Sequence, residues 1–378
     1  MPCSSHTLKS VFVAGVLAAS VAGPAAGGPF EDGEAAAKSG DDTAALRFLR
    51  PLAIKGHAAA QFEIGSLYRD GLGVPKDYKE AQIWLQRAAG QGYANAQYEL
   101  GRIYESGLVG QQDYTEAATW FRKAAEQGHV AAQYNLALAY YSGLGVPQDY
   151  AEAKTWFQKS GDQGHADAQY ALGSLYYNGL GVKRDYAEAA KLYRQAADQG
   201  HAAAQSVLGS MYHKGIGVPR DDSGAARWYR SAADQGNGDA QYGLGLLYQT
   251  GVGLPQDYGK ALSWYRKAAD QGHAAAHYGL GHMHYSGLGV AQDWTQAIAL
   301  FQAAADRGDA DAQYALGGIY ERGAAAPQDN VQSYKWFSVA AANAAALNVK
   351  IRYSAESARP RRGKNDSGAD HRGTDPCA

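Results

Sequence analysis

GHADAQYALGSLYYNGLGVKRDYAEAAKLYRQAADQ, residues 164–199, returns along this chain at a fixed interval of 36 residues. Its opening glycine recurs as Gly56, Gly92, Gly128, Gly164, Gly200, Gly236, Gly272 and Gly308, and no insertion or deletion breaks the register. A period between about 20 and 50 residues marks a solenoid, in which each unit buries its apolar face only by stacking on its neighbours. The 47 glycines of the 378-residue chain therefore read as turn chemistry in fixed columns, not as disorder. Length alone would suggest two or three domains, and the repeat replaces that expectation with one quasi-linear array.

Two helices are legible in each copy. In the first, Ala60, Gln61, Ile64, Gly65, Leu67 and Tyr68 fill one arc of a helical wheel, which defines helix A. Gly71 ends it, and Leu72–Pro75 turns the chain. Asp77 opens helix B, and an aspartate holds that column in every copy: Asp77, Asp113, Asp149, Asp185, Asp221, Asp257, Asp293 and Asp329. A carboxylate there accepts first-turn N–H groups. Glu80, Glu116, Glu152 and Glu188, three residues later, complete a capping-box pattern in the first four copies. Acid–base chemistry does not need eight evenly spaced copies, so the pairs read as caps. Helix B presents Ala81, Trp84, Leu85 and Ala88 on one face. The Trp84 column contains Leu192 and Leu300, which fits an apolar core position better than a ligand platform.

The ends depart from the period. Lys9, the twelve-residue apolar run Val11–Ala22 and the small residues after Gly23 form a cleaved secretory signal, with its exit near Ala26 or Gly27. A membrane span would need about 20 apolar residues. Residues 1–27 are thus expected to leave an exported protein, periplasmic or secreted. Residues 28–55 carry the apolar pattern Ala45, Leu46, Leu49, Leu52 and Ala53, and are expected to be an N-terminal capping half-repeat. The array runs over 56–346. Residues 347–378 are expected to be a short cap remnant followed by a disordered polar tail from Ser354. The formal net charge of −2 conceals a basic end: residues 349–378 hold seven Lys/Arg against four Asp/Glu. The two cysteines, Cys3 and Cys377, lie in the leader and the tail, so no disulfide framework is expected.

The pattern AxAQxxLGxxYxxGxGVxxDxxxAxxWxxxAAxQG resembles the SEL-one-like repeat family, relatives of the tetratricopeptide repeat, over residues 56 to about 343. The 36-residue spacing favours it over the 34-residue tetratricopeptide unit. The resemblance implies an all-α fold, a right-handed α-α superhelical solenoid with helix A on the concave side. It also implies an adaptor that binds proteins or peptides, often exported in bacteria. Several relatives carry paired cysteines in each repeat, and this chain has none. Three copies depart from the pattern, at Gly107–Gly110, Asp222–Gly224 and Gly323–Ala326, and looser turns are expected there.

Columns that stay constant serve stacking, whereas variable surface columns are free to encode a partner. The Phe62 column is almost always Tyr, which reads as packing between consecutive A helices, with an aromatic ladder for peptide or glycan as the alternative. The variable columns supply the candidate partner-binding residues Arg69, Arg102, Glu105, Leu138, Tyr141, Tyr177, His213, Gln249, Tyr285 and Glu321, with Leu138, Tyr141 and Tyr177 as the apolar centre. Tyr and Arg are enriched at binding hot spots. His57, His129, His165, His201 and His273 share one turn column with Asn237 and Asp309, as helix starts would. His277, His282 and His284 cluster in copy seven, but zinc requires three or four convergent ligands and the helical spacing points them apart. No metal or cofactor is expected. No GxSxG, P-loop or HExxH is present, so no catalytic residue is assigned and the chain is read as a non-enzyme. Clustered basic residues of a nucleic-acid footprint are missing from the repeats. The expected function is a protein- or peptide-binding scaffold of the bacterial envelope, the rivals being a cell-wall glycan binder or a hydrolase of envelope polymers.

Overall fold

The computed structural model describes residues 27–323 and 325–357. The apolar leader, the tail from residue 358 and Ala324 lie outside the described residues. The chain divides into two compact units, one ending at Ala96 and the other starting at Gln97.

The first unit contains α1 (Pro29–Ser39), α2 (Asp42–Ile54), α3 (Ala58–Asp70) and α4 (Tyr78–Gly90). Where the sequence offers half a repeat, the structure holds a complete hairpin of α1 and α2. The apolar pattern exposes only α2, which buries Ala45, Leu49 and Ala53, whereas α1 buries Gly33 alone. A Cβ on Gly33 would stand 2.6 Å from the Leu49 side chain, so α1 docks by close backbone approach, with Phe30, Ala36 and Ala37 packed against the same core.

The second unit follows from α5 (Ala94–Ser106), whose first residues precede the boundary. Helix A of each later copy is α7 (Val130–Ser142), α9 (Ala166–Asn178), α11 (Ala202–Lys214), α13 (Gly238–Thr250), α15 (Ala274–Ser286) and α17 (Ala310–Arg322). Helix B is α6 (Tyr114–Glu126), α8 (Tyr150–Asp162), α10 (Tyr186–Asp198), α12 (Asp222–Asp234), α14 (Tyr258–Asp270), α16 (Trp294–Ala305) and α18 (Asn330–Ser357). All regular structure among the described residues is helical, and neighbouring helices pair, as an all-α solenoid requires. The last helix runs 28 residues, against 13 for α14. It continues through the residues read as a cap remnant and on through 354–357, where the sequence predicts the start of a disordered tail. Ala344 stands where Gly opens the other copies, so nothing in that column stops the helix.

Capping explains the constant polar columns. All eight helix-B aspartates accept a first-turn N–H, as Asp149 does from Ala151 and Glu152 at 2.8 and 3.1 Å. The reciprocal half of the capping box is supplied differently: the N–H of Asp77 donates to the Tyr68 carbonyl at 2.9 Å, and the later copies repeat the bond. The turn-column histidines cap helix A. His129 Nδ1 accepts from Ala132 N at 3.1 Å, and His57, His165, His201 and His273 do the same in their own copies. At the other end of helix A, Gly143 and Gly145 both take φ of +74°, the left-handed region where a side chain is strained.

The core is built from the arcs legible in the sequence: Ala60, Ile64, Leu67, Ala81, Trp84, Leu85 and Ala88 are all buried in the first copy. The rings of the Leu85 column press onto helix A of their own copy. A Cβ on Gly173 would lie 2.9 Å from the Tyr193 ring, and one on Gly245 2.6 Å from Tyr265, which is why that helix-A column is Gly in seven copies. A buried glutamine threads this packing. Gln205 Nε2 donates to the Ala197 carbonyl of the preceding helix B at 3.0 Å, and its Oε1 accepts from Gln235 at 2.8 Å. The same pair of bonds holds Gln61, Gln133, Gln169 and Gln241. Unpaired amides are costly to bury, and here both ends are used. Copy seven breaks the ladder: His277 occupies the column and turns Nδ1 to the His273 carbonyl, while Arg307 bonds Ala303 instead.

Candidate functional site

The near-constant aromatic column is engaged within the array. Tyr98, Tyr134, Tyr170 and Tyr242 stack on the N-cap histidine of the following helix A, with centroids 4.6 to 5.0 Å apart. Each also touches the helix-B ring of its own copy, as Tyr134 touches Phe157 at 5.8 Å. Burial raises the pKa of Tyr98, Tyr134, Tyr170 and Tyr242. Their faces are therefore committed to joining consecutive A helices.

The variable columns are less uniform than the sequence suggests. In the first unit Arg69 closes a fork on Asp70, with bonds of 2.9 and 2.7 Å. In the second unit Arg102 is exposed, 3.6 Å from Glu99, and burial pushes the Glu105 carboxyl above its ordinary range. Leu138 and Tyr141 stand one turn apart on α7, each 38 % exposed. Tyr141 meets Tyr150 edge-on at 5.4 Å, and Tyr177 meets Tyr186 in the same way at 5.0 Å. Copy five replaces that aromatic pair by His213 and Asp222, joined Nδ1 to Oδ1 at 2.7 Å, with Arg220 on the other carboxylate oxygen. Tyr285 lies 6.3 Å from Phe301, and Glu321 is exposed. Tyr141, Tyr177 and His213 thus lean on the start of helix B in their own copy. Tyr141 and Tyr177, expected to share one apolar centre, make no ring contact with each other among the described residues.

Part of the variation has an internal cause that single-column reading missed. Where the Leu85 column is Tyr, its hydroxyl needs a partner on helix A. Tyr193 meets Ser174 at 3.1 Å, Tyr229 bonds Ser210, and Tyr265 donates to Gln249 at 2.6 Å. Where that column is Phe121, Phe157 or Phe301, the Ser66 column becomes Arg102, Leu138 or His282. Ser174, Ser210 and Gln249 accordingly serve the core. Comparing the two columns side by side would have shown it.

Subtracting these leaves Leu138 and Tyr141 on α7, and Tyr314 on α17 at 68 % exposure, as the exposed large apolar side chains of helix A among the described residues. Beside Leu138 and Tyr141, the turn leucines Leu144 and Leu108, one copy earlier, are 46 % and 45 % exposed, and neither was singled out from sequence. The histidines of copy seven are engaged separately: His273 caps α15, His282 lies 3.5 Å from the Gln249 amide, and His284 buries an unpartnered Nδ1. No group of three or more metal-ligating side chains stands together among the described residues. No described helix is long and apolar enough to cross a membrane.

The Sel1 repeat pattern matches this chain eight times in succession, at residues 58–93, 94–129, 130–165, 166–201, 202–237, 238–273, 274–309 and 310–344. Among solved structures, a protective antigen of uropathogenic Escherichia coli strains with an SLR fold is 35 % identical. It superposes with a TM-score of 0.70 over 83 % of this chain and 70 % of its own. A Sel1 repeat protein from Oxalobacter formigenes is 31 % identical, with a TM-score of 0.60 over 90 % of this chain and 97 % of its own. No curated protein matches significantly. The chain belongs to the Sel1 repeat family.

Proposed function

From that membership we propose that the chain is a non-catalytic scaffold of the bacterial envelope that binds a protein or extended peptide on its helix-A surface. The observation that carries the reading is the open apolar stretch of α7, where Leu138 and Tyr141 are both exposed one turn apart. Tyr supplies large contact area at low entropic cost, and a central aromatic anchor ringed by polar groups is the anatomy of an interface hot spot. Export rests on the leader: a charged start, a short apolar run and a small-residue exit. The glycan reading loses support, because four of the rings it would use, Tyr98, Tyr134, Tyr170 and Tyr242, stack on histidines.

Immobilised protein from Gly28 onward, exposed to an envelope extract of its source, tests the reading. Proteins retained by the native chain and released by Leu138→Ala with Tyr141→Ala support it. Equal retention by both proteins contradicts it.

A further inference from the structure

The groove between α12 and the turn leading into α14 gathers cationic side chains from two successive copies, well apart in sequence from the α7 surface. Arg227 and Arg230 stand one turn apart on α12, and Lys260 lies in the first turn of α14. Buried Tyr248 sits between them. Arg230 donates to the Tyr248 hydroxyl, its guanidinium carbon 5.6 Å from the ring centroid, and the Lys260 ammonium approaches the same ring at 5.4 Å. Gly253, Leu254 and Pro255 wall the opening, a cavity of about 550 Å³. Two carboxylates face it: Asp257, 3.0 Å from Lys260, and Asp221, 3.7 Å from Arg227. Each already caps its helix, through Lys260 N and Gly224 N. Three cations against two carboxylates leave the groove positive, and like charges gathered on one ring repel until an anion joins them.

The arrangement is local. Elsewhere in the second unit the Arg227 and Arg230 columns read Thr119 and Arg122, Thr155 and Gln158, Ser263 and Arg266, or Ala299 and Gln302. Copy four has Lys191 and Arg194, and copy eight has Lys335 and Ser338, so paired arginines in these two columns are confined to copy five within the second unit. In the capping hairpin of the first unit Arg47 and Arg50 line a separate cavity of about 570 Å³ beside Asp41 and Leu46, without the lysine and tyrosine.

We propose that Arg227, Arg230 and Lys260 form an oxyanion site that takes a phosphate group carried on a larger molecule. Two guanidinium forks and an ammonium line one cavity, a donor set that suits a tetrahedral phosphate better than the two oxygens of a carboxylate. The cavity is larger than phosphate alone, and Leu254 and Pro255 supply an apolar wall for the rest of an ester.

Titration of the isotope-labelled full chain with inorganic phosphate and then glycerol phosphate, at constant ionic strength, tests the site. Saturable shifts of the Gly259 and Lys260 amides at millimolar ligand are expected. Arg227→Gln with Arg230→Gln should weaken binding at least tenfold, and Arg122→Gln should leave it unchanged. Lys260→Gln, milder for folding, should weaken it several-fold by itself. Vesicles containing phosphatidylglycerol separate the sources. Cosedimentation lost in the double variant assigns a lipid headgroup, and ester binding without cosedimentation assigns a soluble phosphate. Shifts that never saturate, or that persist equally in the Arg and Lys variants, overturn the proposal.

Discussion

Replacing Gln205 by Leu removes the amide from the buried ladder while nearly preserving volume, and so isolates what the ladder contributes. The native side chain donates to Ala197 O at 3.0 Å and accepts from Gln235 at 2.8 Å, and it is buried. Ala197 O keeps a second donor in Gly200 N at 2.9 Å, and Gln235 keeps the Ser231 carbonyl at 3.2 Å. The surviving partners moderate the loss, so two bonds at about 1 kcal/mol each give a cost of about 2 kcal/mol. In a repeat array the damage stays near the altered interface, because each unit contacts only its neighbours. Hydrogen exchange is therefore the assay of choice. Amides of α10, α11 and α12 should exchange about thirtyfold faster, the equivalent of about 2 kcal/mol, while α5 and α17 stay as protected as before. Unchanged exchange across all these helices would show that the ladder carries no net stability and refute the reasoning. The reverse change supports the same point: His277→Gln with Arg307→Gln rebuilds the missing rung and should slow exchange in α15.

Other expectations follow from the same packing. Gly145→Ala places a side chain at positive φ against the Tyr114 carbonyl, whereas Gly128→Ala at φ +87° meets nothing within 4 Å; the first should cost at least about 1 kcal/mol more in urea titrations. Ser174→Ala strands the Tyr193 hydroxyl, whose pKa burial pushes up to about 12, and should cost about 1–3 kcal/mol; adding Tyr193→Phe should recover much of that in a double-mutant cycle. Burial lowers the pKa of His129 and His165 below the unfolded value of about 6.5, with Glu99 and Asp167 opposing it. The folded chain thus prefers the neutral rings that accept at Nδ1. Their contribution is present above about pH 6.5 and is lost as the pH falls below it. Melting temperature should drop between pH 7 and pH 5, and His129→Asn with His165→Asn, a cap used natively by Asn237, should flatten that dependence.

Period, helix pairing, caps and core arcs were all legible, because each rests on local chemistry repeated eight times: the Asp77 carboxylate and the Ala60–Leu67 arc need no tertiary knowledge to recognise. What escaped depended on contacts between columns. Helix α1 is hard to read because Gly33, where its backbone lies directly on Leu49, interrupts a face otherwise made only of Phe30, Ala36 and Ala37. The Ser66 column looked free to vary, yet Ser174 answers a hydroxyl on Tyr193, nineteen residues away on the other helix. Gln61 was placed on the core arc, but its bonds to Ala53 and Gln91 join elements that one helical wheel cannot show. Leu108 and Leu144 sit in turns, where helical periodicity says nothing of exposure.

The most direct test of the scaffold reading is hydrogen exchange of the chain with and without the protein it captures. Binding on helix A predicts new protection in α7, centred on Leu138 and Tyr141, with the outer residues of helix B unchanged. Protection confined to the B helices, with α7 exchanging as in the free chain, would contradict the account.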